Sequence, residues 1–251
     1  MISTEPQGGI LCIAAHPDDE VLGCGGVLAM HARNGDPVTI VIACEGESLR
    51  YGPGGVGQDS HIRRAAEHLG CTSVRHLRFP DQALDTIRLT EIIAPLEQIV
   101  RQQQPRTVYC QYGGDVNRDH QLLFQAILVA TRPTETYIDA VYAFDTASST
   151  EWAYPRTFIP DTWIDISATL DAKLAAMACY QSELRPYPHP RSLQALEYRA
   201  RALGNQVCLE AAEVFMTVRK VNRVGPMNGQ RSLANGLRQC QPSPPTNSVC
   251  V

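Results

Sequence analysis

Two stretches of the chain are apolar without a break. Residues 9–15 (GILCIAA) and 38–44 (VTIVIAC) carry β-branched positions and show no polar alternation. Runs of this length predict strands buried on both faces. Between them, residues 21–33 place Leu22, Val27, Leu28 and Met30 as apolar positions of a helix that Asn34-Gly35 closes. Strand, helix and strand within about 35 residues make a βαβ unit, with a right-handed crossover and parallel strands.

The pattern continues with a short helix over 62–69 ended by Gly70, and a strand over 74–79. Residues 91–103 carry Ile92, Ile93, Leu96, Ile99 and Val100 at helical spacing, with Pro95 read as the first helical residue. A strand over 107–111 and a helix over 119–130 follow, the helix stopping before Pro133. Strands over 140–144 and 163–166, helices over 170–182 and 192–203, and a last strand or helix over 212–218 complete the pattern. The Gly-dense stretch 45–61 reads as a long loop of functional or mobile character. The expected fold is α/β, one mostly parallel, doubly wound sheet with helices on both faces and a C-terminal helical addition. From about Asn222 the periodicity ends and Pro, Gln, Ser and Asn accumulate, so a domain over 1–221 and a flexible tail over 222–251 are expected.

Composition narrows the classes. Hydrophobic residues are 44% and charged residues 19% of 251, enough for a real core. Lys and Arg total 22 against 26 Asp and Glu, a net charge of −4, so no basic field exists to hold nucleic acid. No apolar run is long enough for a membrane segment. Residues 1–8 lack a basic segment followed by an apolar one, so no signal peptide is read. The nine cysteines contain no C-x-x-C pair and mostly lie inside apolar runs. They read as reduced core residues of a cytoplasmic protein. Cys24 is expected near the site and open to thiol reagents, and Cys240 and Cys250 in the tail are expected to oxidise most readily.

Two polar clusters carry the chemistry. Ala15-His16-Pro17-Asp18-Asp19-Glu20 sits where the first strand meets the first helix. In open α/β sheets, ligands bind outside the carboxyl ends of strands. His16 and Asp19 are three apart across a tight turn, so both can reach one metal, with Asp18 beside it. The structural alternative is that Asp18 and Asp19 cap the helix. The second cluster, Gly113 to His120 (GGDVNRDH), again joins a strand end to a helix start. If both strands are central, His120 faces His16 and Asp19; the alternative is a polar loop with Asp119 as cap. Two imidazoles and a carboxylate suit zinc, with a fourth position for water and Asp18 as the base that takes its proton. That is metal-assisted hydrolysis of an acyl-type bond.

These residues resemble the opening of the PIG-L/LmbE-like family of zinc-dependent N-acetylglucosaminyl de-N-acetylases. The resemblance rests on Ala15-His16-Pro17-Asp18-Asp19-Glu20 with Gly23-Cys24-Gly25-Gly26, and on Gly114-Asp115-x-Asn117-x-Asp119-His120. Glu45-Gly46-Glu47, Phe79-Pro80-Asp81, Pro188-His189-Pro190-Arg191-Ser192 and Ala211-Ala212-Glu213-Val214-Phe215 add to it. It implies a Rossmann-like fold, one Zn2+ held by His16, Asp19 and His120, and Asp18 as general base. It implies a small-molecule N-acetylated amino sugar or related metabolite as substrate, and is compatible with a homo-oligomer. Some members carry a histidine three residues before the last ligand; here that position is Asn117. His189, in its Pro-rich loop, is the candidate for the missing acid, and a loop histidine fixed by packing is the alternative. Glu47, Arg50, Asp115 and Asn117 are candidate substrate contacts, each also readable as ordinary surface or loop polarity. Asp119 either orients a ligand or caps its helix. Trp152 either stacks on a sugar face or, the simpler reading, sits in the core. His31, His61, His68 and His76 read as structural or exposed.

The rival from another class is a non-catalytic nucleotide-binding or regulatory Rossmann-like module. In it the carboxylates are caps, and Gly23-x-Gly25-Gly26 is a phosphate loop that departs from G-x-G-x-x-G.

Overall fold

The computed structural model describes residues 8–47 and 57–222. Its strands are β1 (Ile10–Ala14), β2 (Val38–Cys44), β3 (Ser73–Phe79), β4 (Thr107–Gln111), β5 (Ala140–Phe144), β6 (Thr162–Asp165) and β7 (Ala212–Lys220). They form one sheet in the order β3-β2-β1-β4-β5-β7-β6. The first five strands pair in parallel, while β7 runs antiparallel to both β5 and β6. The chain winds outward from β1 in one direction and from β4 in the other. The switch point between β1 and β4 is where a doubly wound sheet opens a crevice at its strand ends.

Alternation along β1 divides the core. Ile10, Cys12 and Ala14 pack with α1 (Asp19–Arg33), α2 (Gln58–Leu69), α5 (Leu170–Met177) and α6 (Leu193–Asn205). Leu11, Ile13 and Ala15 pack on the other face with α3 (Leu89–Gln103) and α4 (Arg118–Ala130). Both faces are therefore covered, which is why β1 and β2 are apolar at nearly every position. Each large aliphatic side chain buried this way contributes about 1.5–3 kcal/mol.

Several boundaries differ from the sequence expectation. Helix α2 starts at Gln58, not at 62, because the Glu47 carboxylate accepts the Gln58 N–H at its first turn. Helix α3 runs through Pro95 from Leu89. Ile92 and Leu96 anchor it in the core, while Glu91, whose carbonyl loses its helical donor at Pro95, faces solvent. Helix α5 stops at Met177, and the turn beyond it aims Tyr180 and Glu183 inward. The last element is a strand, and Asn117, not Asp119, caps α4 by accepting the Asp119 N–H at 2.9 Å.

Helix α1 breaks at Cys24, whose φ/ψ of −143°/20° is not helical. Glu213 takes the N–H groups of Gly26 (3.0 Å) and Val27 (2.8 Å) there, and Lys173 Nζ donates to the Leu22 carbonyl at 2.9 Å. A carboxylate thus occupies the donors that a phosphate loop would offer. Gly23 serves packing instead, since a Cβ there would meet Phe144 Cδ2 at 2.0 Å. Cys24 lies fully buried with its Sγ 3.5 Å from Cys12 Sγ, so the expected reagent access is absent. Among the described residues, no helix is long and apolar enough to cross a membrane. Cys240, Cys250 and the expected tail from 223 onward lie outside the described residues.

Candidate active site

The two polar clusters meet. Because β1 and β4 pair in parallel, with Ile13 opposite Cys110, both strands end on the same edge of the sheet. His16 and Asp18 form the turn after β1, and His120 lies in the first turn of α4. His16 Nδ1 is 3.2 Å from His120 Nε2, and each of these nitrogens is 3.2 Å from Asp19 Oδ2. Gln111, the last residue of β4, donates its Nε2 to Asp19 Oδ2 at 2.7 Å and accepts the Ala15 N–H at 2.6 Å. The other oxygen, Asp19 Oδ1, is buried without a partner.

Each imidazole turns its second nitrogen to an outer carboxylate. His16 Nε2 lies 3.1 Å from Asp119 Oδ2, and His120 Nδ1 lies 3.3 Å from Asp115 Oδ1. The His16 contact is a hydrogen bond of the kind that fixes the ring orientation and tautomer of a metal-binding histidine, whereas His120 Nδ1 stands close to Asp115 without hydrogen-bond geometry. Burial alone works against charge here. The His120 and His16 rings nonetheless hold the Asp19 carboxyl well below its usual range. A buried His/Asp cluster suited to a metal ion is therefore present. His16, Cys44 and Asp119 form a second close group, which uses the outer nitrogen of the same His16.

Asp18 adopts φ 108°, a left-handed conformation unusual for a residue with a side chain, and makes no side-chain cap bond to α1. Its carboxylate Oδ2 instead accepts Arg191 Nη1 at 2.9 Å. Burial, opposed by the Arg191 charge and reinforced by Asp19, Glu183 and Glu20, pushes the Asp18 carboxyl well above its usual range. Arg191 also donates to Glu183 Oε2 (3.2 Å) and to Ser148 Oγ (2.7 Å). Glu20 is buried and accepts Tyr180 O–H at 2.6 Å; burial pushes its carboxyl up to about 7. His16, Asp18, Gln82, Asn117, His120 and Arg191 line one cleft.

The other sequence candidates scatter in role. Asn117 lines the cleft and donates to Gln82 Oε1 at 3.1 Å while capping α4. Asp115 lies behind His120 rather than toward the cleft. It accepts the Ser149 hydroxyl, the Thr150 hydroxyl (2.6 Å) and the Asn117 N–H (2.8 Å). Asp119 accepts the Leu84 N–H at 3.0 Å and holds His16. Glu47 is engaged at the start of α2, and Arg50 lies outside the described residues. His189 is not among the residues lining the cleft; its Nδ1 accepts the Arg191 N–H at 3.1 Å. Trp152 is 57% exposed, against the core placement expected, and its ring meets His189 at 6.1 Å. His76 is structural, bridging Asp59 (2.7 Å) and the Cys44 carbonyl (2.9 Å), and His31 bridges Asp36 and Tyr109. Sequence reasoning missed Arg191, Glu183, Gln111 and Gln82. Arg191 did carry a signal, since it stands two residues from His189 in the same Pro-flanked segment.

The family described as PIG-L, GlcNAc-PI de-N-acetylase, matches residues 11–131, which contain both clusters. The chain is 32% identical over 186 residues to the uncharacterized deacetylase YaiS of Escherichia coli K12, covering 72% of this chain and 94% of that one. It is 29% identical over 198 residues to a 4-oxalmesaconate hydratase of Pseudomonas putida KT2440, covering 69% and 73%. The conserved protein TT1542 of Thermus thermophilus superposes with a TM-score of 0.71 at 24% identity, over 88% of this chain and 99% of that one, a likeness of fold. The chain belongs to the PIG-L/LmbE-like family of de-N-acetylases.

Proposed function

We propose that this chain is a zinc-dependent hydrolase that removes an N-acetyl or similar acyl group from an amino sugar or an amino-sugar-containing metabolite. The observation that carries this reading is the triad of donors on His16, Asp19 and His120, mutually 3.2 Å apart beside a second carboxylate, Asp18. The donor set fits zinc, which favours imidazole nitrogen and carboxylate oxygen at about 2.0–2.2 Å. Three corners of a tetrahedron of that size lie about 3.4 Å apart. The buried, partnerless Asp19 Oδ1 is a further sign of a site shaped for a cation. When bound, zinc would lower the pKa of a water and polarise the acyl carbonyl.

The chain's own groups supply the remaining roles. Asp18 accepts the proton of the attacking water and passes it to the departing amine. Arg191 holds Asp18 in place and supplies the fixed positive charge in the cleft. A guanidinium keeps its protons at working pH, so the amine's proton comes through Asp18. Asn117 and Gln82 offer amide groups to substrate hydroxyls. Asp115 and Asp119 orient the two imidazoles.

The test is a screen of N-acetylated sugars for free-amine release by the zinc-loaded protein, beside the Asp18→Asn variant. Amine release that Asp18→Asn abolishes is expected. Release unaffected by Asp18→Asn overturns the assignment of the base. A protein that hydrates an unsaturated acid but frees no amine belongs with the hydratase relative instead.

A further inference from the structure

We propose that His16, Cys44 and Asp119 form a second metal site, on the outer side of the His16 ring, that takes a soft thiophilic ion such as Cd2+ and competes with the inner triad for His16. The outer donors stand whichever bond the enzyme cleaves, so the site is independent of the hydrolase reading.

The donors converge because β1, β2 and β4 run parallel and end on one edge of the sheet. His16 follows β1, Cys44 is the last residue of β2, and Asp119 lies in the first turn of α4, the helix that follows β4. The Cys44 N–H donates to the Ala15 carbonyl at 2.8 Å, which sets Cys44 beside the next residue, His16. Asp119 Oδ2 lies 3.1 Å from His16 Nε2 and 3.6 Å from Cys44 Sγ, and the three donor atoms all lie within 4.8 Å of one another. A tetrahedral ion with bonds of about 2.3 Å to sulfur and about 2.0–2.2 Å to nitrogen and oxygen sets sulfur about 3.5–3.6 Å from oxygen, and nitrogen about 3.4 Å from oxygen. The observed separations already have that size. Asp81 brings its Oδ1 to 3.5 Å from the same nitrogen, a further oxygen donor.

Sulfur decides the ion. The inner triad offers two imidazole nitrogens and a carboxylate oxygen, a set that suits zinc. The outer group has a thiolate in place of one imidazole, and thiolate favours soft ions. On binding, the metal–sulfur bond replaces the S–H bond of Cys44, and the proton leaves to solvent. The reaction proposed above gives Cys44 no task. Its side chain is fully buried, so the ion enters by way of the cleft, which His16 and Asp81 line.

Competition follows from the ring. A neutral imidazole has one N–H and one lone pair. An ion on Nδ1, the nitrogen of the triad, leaves the proton on Nε2, where Asp119 accepts it. An ion on Nε2 puts the proton on Nδ1, 3.2 Å from Asp19 Oδ2, which accepts it there. Each tautomer has a carboxylate to hold it. His16 therefore serves either site, and not both at once.

The test is a Cd2+ titration of the zinc-loaded protein, with Cys208, Cys240 and Cys250 changed to Ser to remove the exposed thiol and the two near the C-terminus. An ultraviolet thiolate-to-cadmium charge-transfer band is expected, together with one zinc released per cadmium, read by a chromogenic zinc chelator. Cys44→Ser should abolish the band and weaken the zinc release at least ten-fold, while Cys71→Ser should leave both in place. If Cys44→Ser fails to fold, Cys44→Ala replaces it. The cadmium NMR resonance of the unsubstituted site, shifted downfield by a sulfur ligand, reports on the same bond without a variant at Cys44. A band that survives loss of the Cys44 sulfur overturns the site. Zinc release without a band also overturns it, since cadmium then sits in the triad alone. A band without zinc release overturns the competition, since one ring then bridges two ions. If the protein holds no zinc, the hydrolase reading fails, and the band titration of the metal-free protein still decides the outer site.

Discussion

Arg191 Nη1 lies 2.9 Å from Asp18 Oδ2 although 173 residues separate the two in sequence. The guanidinium is the cation that offsets Asp19, Glu183 and Glu20 around the Asp18 carboxylate. Arg191→Ala should therefore lower kcat/KM by about 10²-fold or more. Arg191→Lys should restore part of the loss, because a point charge replaces a fork. The sign of the pH effect is fixed. The Arg191 charge lowers the Asp18 pKa, its removal raises it, and a base must be deprotonated. The acid limb of the rate profile should move to higher pH in Arg191→Ala.

The His120 and Asp115 contact makes a separate prediction about affinity. Asp115 sits against the His120 nitrogen that faces away from the donor triad. Asp115→Asn should weaken zinc binding by about 10–100-fold, read by competition with a chromogenic chelator. An unchanged affinity would make Asp115 a loop anchor only.

Lys173 and Glu213 are a buried ion pair that stands in for helical hydrogen bonds where α1 breaks. Lys173→Met leaves Glu213 buried without its counter-charge and should cost about 3–5 kcal/mol in urea unfolding. Adding Glu213→Gln to Lys173→Met should cost less than the sum of the single changes.

Sequence alone reaches the strands β1, β2, β4 and β5 within a residue, because their apolar runs are local and unambiguous. It also places His16, Asp18, Asp19 and His120 at strand ends, where an α/β sheet gathers ligands. Arg191 escapes it because its partner, Asp18, lies 173 residues away and no spacing encodes the contact, and Glu183 enters the site only through Arg191. Residue type alone sets Trp152 in the core. Its exposure follows from a turn held by Glu151 and Thr150, which hydrophobic pattern does not register. The break in α1 is hidden for a similar reason, since Glu213 reaches it from β7.

Thiol chemistry separates the cysteines. Burial pushes the Cys44 thiol up to about 11 and the Cys71 thiol up to about 12, and Cys12, Cys24 and Cys110 are fully enclosed. A thiol of pKa about 11 is about one-thousandth thiolate at pH 8. Among the described residues, Cys208, which is exposed, should be alkylated first by iodoacetamide at pH 8, as read by peptide mass mapping. Early modification of Cys44 without unfolding would contradict the closed core.

The register of β1 against β4 has a consequence for metal uptake. Sliding one strand by a residue shifts it about 3.3 Å, as large as the gap between His16 and His120, which stand 104 residues apart in sequence. The sheet thus works as a gauge for the spacing of the donors. Tight uptake of a metal by His16, Asp19 and His120 would therefore require that the two halves of the sheet stand in this register.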